Sequence, residues 1–215
     1  MRGLEGLMCL ALAALMALTA GCGTLRIELG GLAERTLEEM AEEGALSQPV
    51  DYGDYNLVNG RIFLNGDLNH AKAERVEREI KFADDAASVE TITMYLSSEG
   101  GDLEAMKIIA NTLESCRKPV DIVVTGYCMS AGVYLLECAS GGRKAYRNAL
   151  FGIHAPRGAP EELKELIVSE YEGKLKERTR LPEDFFPLPE EMRFFTAEEA
   201  LEYDVIDEIV DGDRK

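Results

Sequence analysis

A serine stands where a predicted strand turns into a predicted helix. The segment 126–132, with the sequence GYCMSAG, joins two apolar runs and places Ser130 at the start of the helix. The free N–H groups and the dipole of a helix N-terminus favour negative charge beside such a residue. A serine nucleophile needs this setting, because its attack on a carbonyl creates an oxyanion. The competing interpretation is that Ser130 only caps the helix.

One of only two histidines stands at the end of a predicted apolar strand. His154 follows the residues 150–153, whereas His70 lies in a polar helix start. Strand ends are where the side chains of an α/β fold meet to form sites. A histidine paired with a serine can take the hydroxyl proton and return it to the leaving group. His154 is therefore the candidate general base, and a hydrogen-bonded core histidine is the alternative.

Two consecutive glycines, Gly100 and Gly101, follow another predicted strand. Because glycine has no side chain, backbone N–H groups at such a turn can approach a ligand. The pair is consistent with an anion-binding turn beside the serine. It is equally consistent with a simple tight turn, so the pair carries little weight by itself.

The elements that would position these residues alternate between strand and helix. Strands are predicted at 61–66, 91–96, 120–125 and 150–153, and a turn is predicted to open at Gly126. Between them, helices are predicted at 69–83, from 103 to 113 and at 130–139. Such an order predicts an α/β fold of repeated βαβ units with a largely parallel sheet.

Helical periodicity and capping residues define the remaining elements. Asn69 is predicted to cap the first helix, and Thr196 with Glu199 forms a capping box for a short final helix. The segment 160–178 is predicted to be a charged amphipathic helix. Its inward-facing residues are predicted to be Leu163, Leu166, Ile167, Tyr171 and Leu175.

Five separate sequence blocks, in this order, resemble the Clp protease proteolytic subunit and its relatives. They are RIFLNG at 61–66, YLSSEGGDLEAM at 95–106, VVTGYCMSAG at 123–132, FGIHAP at 151–156 and FFTAEEALEYDVID at 194–207. The resemblance covers about residues 61–210 and implies the spiral α/β fold that this family shares with the crotonases. It also implies that Ser130 is the nucleophile and His154 the general base. The oxyanion hole would be formed by the N–H groups of Gly100, Gly101 and Ala131.

The chain departs from the family pattern at four places. Tyr127, Cys128 and Met129 stand before Ser130, where the family usually has Gln-Ala-Ala or similar. Leu188 stands where the third triad member, an aspartate, is expected; among the nearby Asp184, Glu190 and Glu191, Glu190 is favoured as catalytic carboxylate. A backbone carbonyl or no group at all are the alternatives. Glu99 replaces the usual proline before the glycines. Prolines after residue 178 interrupt the segment with which family members join two rings, so a double ring is not expected. The resemblance still implies a homo-oligomer.

The N-terminal residues predict export. An apolar run from Leu7 to Ala20 has the proportions of a signal peptide and is too short to span a bilayer. Small residues before Cys22 resemble a bacterial lipobox, which implies a lipidated Cys22 after removal of residues 1–21. Residues 22–54 are then an acidic tether and 55–211 the peptidase domain. The expected location is the periplasm, anchored to the membrane through Cys22, or outside the cell.

Composition restricts the function further. A net charge of −17 argues against nucleic acid as a partner. Few histidines and three dispersed cysteines after Cys22 give no metal-site pattern, and no cofactor is expected. The leading hypothesis is an ATP-independent, membrane-tethered serine endopeptidase that acts on peptides or proteins. A non-catalytic binding or scaffold protein of the same fold is the alternative; a crotonase-type acyl-CoA enzyme fits export poorly.

Overall fold

The computed structural model describes residues 54–157 and 161–210. The predicted signal segment, Cys22 and all of the tether except Asp54 lie outside the described residues. The strands are β1 (Arg61–Asn65), β2 (Ile92–Ser98), β3 (Val120–Met129), β4 (Arg143–Tyr146), β5 (Leu150–Ile153), β6 (Arg193–Thr196) and β7 (Glu208–Val210). The helices are α1 (Tyr55–Val58), α2 (His70–Asp85), α3 (Leu103–Ser115), α4 (Ala131–Leu136), α5 (Glu161–Arg178) and α6 (Ala197–Glu202).

The strands form one mostly parallel sheet. Its main order is β1-β2-β3-β4-β7, and every neighbouring pair on this path is parallel. β5 branches from the end of β3 in parallel, and β6 adds to β5 in antiparallel orientation. The predicted α/β class with a largely parallel sheet is confirmed.

β3 exchanges partners half-way along its length, and the turn predicted at Gly126 is therefore wrong. Residues 122–124 of β3 pair with β4, whereas Tyr127 to Met129 pair with β5. The backbone at Gly126 approaches β2 so closely that an added Cβ would lie 2.7 Å from the Ser97 hydroxyl. A glycine thus serves a close approach inside the strand, and the strand continues up to Ser130.

Alternate residues of β2 are buried in the core. In β2 Ile92, Met94 and Leu96 are fully buried while the residues between them are only half-buried, as the alternation predicts. The predicted caps are also present. The Asn69 side chain accepts the N–H of Lys72 at 2.9 Å, and Thr196 and Glu199 form a reciprocal capping box.

Helix α5 packs through a narrower face than its sequence pattern predicts. Ile167, Tyr171 and Leu175 are buried, as predicted. Leu163 and Leu166 are 47% and 68% exposed, so their predicted inward orientation is wrong. The buried residues recur every four positions, and only the part of the helix from Ile167 onward meets the core. Within the described ranges, no helix is both long and apolar enough to cross a membrane.

Candidate active site

Ser130 occupies a strained junction between β3 and α4. Its backbone angles are φ 52° and ψ −121°, a combination that non-glycine residues adopt at a cost of about 1–3 kcal/mol. Two backbone hydrogen bonds hold it there. Its N–H donates to the carbonyl of Gly152 at 2.7 Å, and its carbonyl accepts the N–H of Val133 at 3.0 Å. The Ser130 side chain makes no capping hydrogen bond, which weighs against a purely structural role as a helix cap.

His154 follows β5, the strand to which Ser130 is hydrogen-bonded. The half-buried imidazole lines the same pocket as Ser130. Its Nδ1 lies 2.6 Å from the carbonyl oxygen of Ala155. A carbonyl can only accept a hydrogen bond, so Nδ1 carries the proton in this arrangement. In the neutral imidazole Nε2 is then the nitrogen without a proton, which is the form that a general base requires.

The glycine turn lies directly against Ser130. A Cβ added to Gly100 would lie 2.8 Å from the Ser130 Cβ and 3.2 Å from the amide nitrogen of Ala131. Both Gly100 and Gly101 have φ values, 100° and 139°, that L side chains rarely adopt. The Gly100 N–H donates to the Ser98 hydroxyl at 3.1 Å. The Gly100 N–H is thus already engaged, which leaves the Gly101 and Ala131 amides as the remaining predicted oxyanion-hole donors.

The segment 188–190 lies beside Ala155. Its one carboxylate, that of Glu190, makes no hydrogen bond to the His154 imidazole. The Ala155 N–H donates to the carbonyl of Pro189 at 2.8 Å. The Glu190 side chain is 80% exposed and its carboxylate lies 3.9 Å from the Lys164 ammonium. Leu188 is buried. The role of Glu190 as the catalytic carboxylate stays a prediction. The group that lies on Nδ1 of His154 is a backbone carbonyl, which is the alternative to a carboxylate.

Other carboxylates near the site point elsewhere. Asp184 pairs with Arg193 at 3.0 Å, and Glu191 is exposed. Glu99, whose charge would oppose an oxyanion, is also exposed to solvent. All three carboxylates are thus solvent-exposed.

The pocket beside Ser130 and His154 is apolar on its walls and charged at one end. Leu103, Met106, Pro156 and Ile167 supply apolar surface. At the charged end Glu170 accepts hydrogen bonds from the Lys107 ammonium at 2.6 Å and the Tyr134 hydroxyl at 2.7 Å. These two donors, Lys107 first, hold the pKa of Glu170 below its usual range, so the carboxylate is ionised.

Several residues of this site were not predicted from the sequence. Tyr171 was predicted to face inward, but its hydroxyl donates to the carbonyl of Ser130 at 2.6 Å. Tyr134 and Glu170 carried no motif at all. The only sequence signal was a tyrosine, rather than an aliphatic residue, on the buried face of α5, since a buried hydroxyl requires a partner. Within the described part of the chain, no three metal-ligating side chains cluster, and Cys116, Cys128 and Cys138 are free thiols.

Two comparisons with known proteins bear on this site. A profile of the family described as Clp protease matches residues 50–213. The ATP-dependent Clp protease proteolytic subunit 1 of Corynebacterium efficiens is 32% identical to the chain over 169 residues. That match covers 70% of this chain and 78% of the relative. The range matched by the family profile includes Ser130, His154 and the glycine turn.

Proposed function

The chain belongs to the Clp protease family, and from this premise we propose that it is an ATP-independent serine endopeptidase with Ser130 as nucleophile and His154 as general base. The observation that carries this proposal is the strained Ser130 turn. Its hydroxyl is not used as a cap, and it lines one pocket together with His154. The substrate is a peptide or protein, and the chain works as a homo-oligomer, in keeping with the name "subunit" of its relative.

The proposed reaction begins with proton transfer from the Ser130 hydroxyl to Nε2 of His154. The Ser130 oxygen then attacks the carbonyl carbon of the scissile peptide bond, and the carbonyl oxygen becomes an oxyanion. The N–H groups of Gly101 and Ala131 stabilise that charge, because fixed donors need not rearrange when the charge develops. The imidazolium returns its proton to the leaving amine, and a water molecule repeats the sequence on the acyl-enzyme.

The carbonyl of Ala155 takes the orienting role in this proposal. A Ser–His pair needs one ring nitrogen held so that the other faces the hydroxyl. The 2.6 Å contact between Nδ1 and the Ala155 oxygen supplies that restraint. Glu190 is the residue favoured by the position of the acid in the family. Its exposed carboxylate would have to move to share the orienting role.

Labelling with a fluorophosphonate tests the proposal directly. Such a reagent modifies only an activated serine, so the folded wild-type protein should take up one label per chain, at Ser130. Neither Ser130→Ala nor the heat-unfolded wild type should be labelled. A folded wild-type protein that remains unlabelled would instead support the non-catalytic binding or scaffold function. The measurement is intact mass followed by peptide mapping.

Export and membrane tethering are the second half of the proposal. The apolar run Leu7 to Ala20 followed by Gly21-Cys22 supports removal of residues 1–21 and diacylglyceryl transfer to Cys22. An exported enzyme has no access to cytoplasmic ATP, which is why the proposed peptidase is ATP-independent.

We expect the mature protein to begin at a lipid-modified Cys22 and to partition into the detergent phase. Mass spectrometry of the mature N-terminus from a bacterial host checks this expectation. Cys22→Ser should remain in the aqueous phase. An unmodified Cys22 in the mature wild-type protein, or cleavage at another position, would contradict the lipid anchor.

A further inference from the structure

The hydroxyl of Tyr171 reaches the backbone of the candidate nucleophile from a different element. Tyr171 lies on α5, is 5% exposed and donates to the carbonyl of Ser130 at 2.6 Å. Burial raises the pKa of the Tyr171 phenol well above its ordinary value, so the group remains a donor throughout the physiological pH range. The same carbonyl accepts the N–H of Val133 as the first bond of α4. Tyr171 therefore holds the point at which the strained turn enters the helix.

Strain makes this contact more than a packing detail. Ser130 has a positive φ although it is not glycine, and such a conformation persists only when its surroundings over-determine it. One restraint comes from β5, through the Gly152 carbonyl. The Tyr171 hydroxyl is a side-chain restraint on the following peptide unit, through the Ser130 carbonyl. If it is lost, the Ser130 carbonyl keeps only its helical bond and the turn gains freedom to relax.

Tyr171 is itself held by the charged end of the pocket. Its ring packs edge-to-face against Tyr134, with ring centres 5.4 Å apart. The Tyr134 hydroxyl donates to Glu170, which also binds Lys107 of α3. The ring of Tyr171 thus packs against Tyr134, which is tied through Glu170 to α5 and through Lys107 to α3.

We propose that Tyr171 is a positioning residue that holds the strained Ser130 turn, and with it the nucleophile, in the geometry for attack. The inference rests on the proposed peptidase function. It assigns Tyr171 no contact with the substrate's reacting atoms. Small displacements of a reacting group are costly in enzymes, about 100-fold in rate for a misplacement of about 1 Å. The release of one restraint should have part of that effect.

The test compares Tyr171→Phe with Thr112→Val. The first variant removes only the hydroxyl and keeps the ring. The second removes a buried hydroxyl of α3 that donates to the Ile108 carbonyl at 2.8 Å, away from Ser130. Fluorophosphonate titration counts the active sites in each preparation, so turnover can be expressed per folded site. We expect kcat per titrated site of Tyr171→Phe to fall on the order of tenfold, with KM within about twofold of wild type.

Thr112→Val should keep both constants while losing a similar amount of thermal stability. A Tyr171→Phe variant whose kcat per titrated site equals that of wild type would overturn the inference, whatever its melting temperature. So would a loss of kcat of the same size in Thr112→Val. Failure of the proposed function has a different signature, because the wild-type protein itself would then neither take up the label nor hydrolyse peptide.

Discussion

Replacing Ser130 with alanine is expected to lower kcat for peptide hydrolysis about 10⁶-fold, and His154→Ala should cost about the same factor. The two groups act as one unit, because the hydroxyl is a poor nucleophile until the imidazole takes its proton. The double variant should therefore be no slower than either single variant. Any residual hydrolysis would come from the oxyanion-binding amides and from substrate binding. Initial rates on a fluorogenic peptide, with each preparation checked for its melting temperature, give the comparison.

The control for this loss is Glu190→Gln. If the Ala155 carbonyl orients His154, this variant should keep kcat within a few-fold of wild type, since the Glu190 side chain is 80% exposed. A loss of about 10⁴ in kcat would instead give Glu190 the orienting role, because that is the cost of removing such a carboxylate from a working triad.

Ser130→Ala should lose at most about 1 kcal/mol of stability, the usual value of a cap. Full activity in Ser130→Ala would reject the assignment of the nucleophile.

The periodic elements were predictable because burial selects their side chains. β2 buries every second residue, and α2 begins at the cap that Asn69 supplies. β4, β6 and β7 were not predicted. They are three or four residues long, and they form because an existing strand edge offers hydrogen bonds to them. Such edges are a property of the assembled sheet and leave little pattern in a segment as short as RKAY or EIV.

The site was predictable to the extent that it sits at element ends. Ser130 and His154 follow β3 and β5, whose pairing brings their ends together. The Ala155 carbonyl could not be found in this way, since every residue carries such a group. Tyr171 is a similar case, because only the packing of α5 against α4 decides which hydroxyl reaches which carbonyl. Leu163 shares the face of the buried Ile167, so its exposure shows that the start of α5 lies beyond the core, whereas Leu166 lies off that face.

Helix α4, which Ser130 precedes, ends in a buried network of charges. The side chain of Glu137 is fully buried, and its carboxylate accepts the Arg143 guanidinium at 2.6 Å. The same guanidinium binds Asp207 at 2.7 Å and the carbonyl of Arg178 at 3.1 Å. Arg143 therefore links the end of α4 to the start of β7 and the end of α5. The second oxygen of Glu137 has no hydrogen-bond partner, so its charge depends strongly on Arg143.

We expect Arg143→Met to lower the free energy of unfolding by about 3 kcal/mol at pH 8. The buried Glu137 carboxylate then keeps only the Arg178 guanidinium, 3.8 Å away, as a counter-charge. Burial already raises the pKa of Glu137 from 4.5 to about 7, against the opposing effect of Arg143. An acid whose pKa is raised in the folded state loses stability as pH rises from its unfolded to its folded pKa. Without Arg143 that window extends upward, so part of the loss, on the order of 1 kcal/mol, should be recovered at pH 5.5, where Glu137 is protonated in both proteins.

Urea unfolding at pH 5.5 and pH 8 measures both values, and Glu137→Gln/Arg143→Met is the matched control. That double variant has no titrating group at position 137. Its stability relative to wild type should therefore not show the dependence on pH that extends to higher pH in Arg143→Met. Asp207 loses the same guanidinium in both variants, so any change in its own titration cancels between them. Equal destabilisation of Arg143→Met at the two pH values would mean that the lost guanidinium acts through packing alone. The buried charge of Glu137 would then play no part in holding the end of the helix that Ser130 begins.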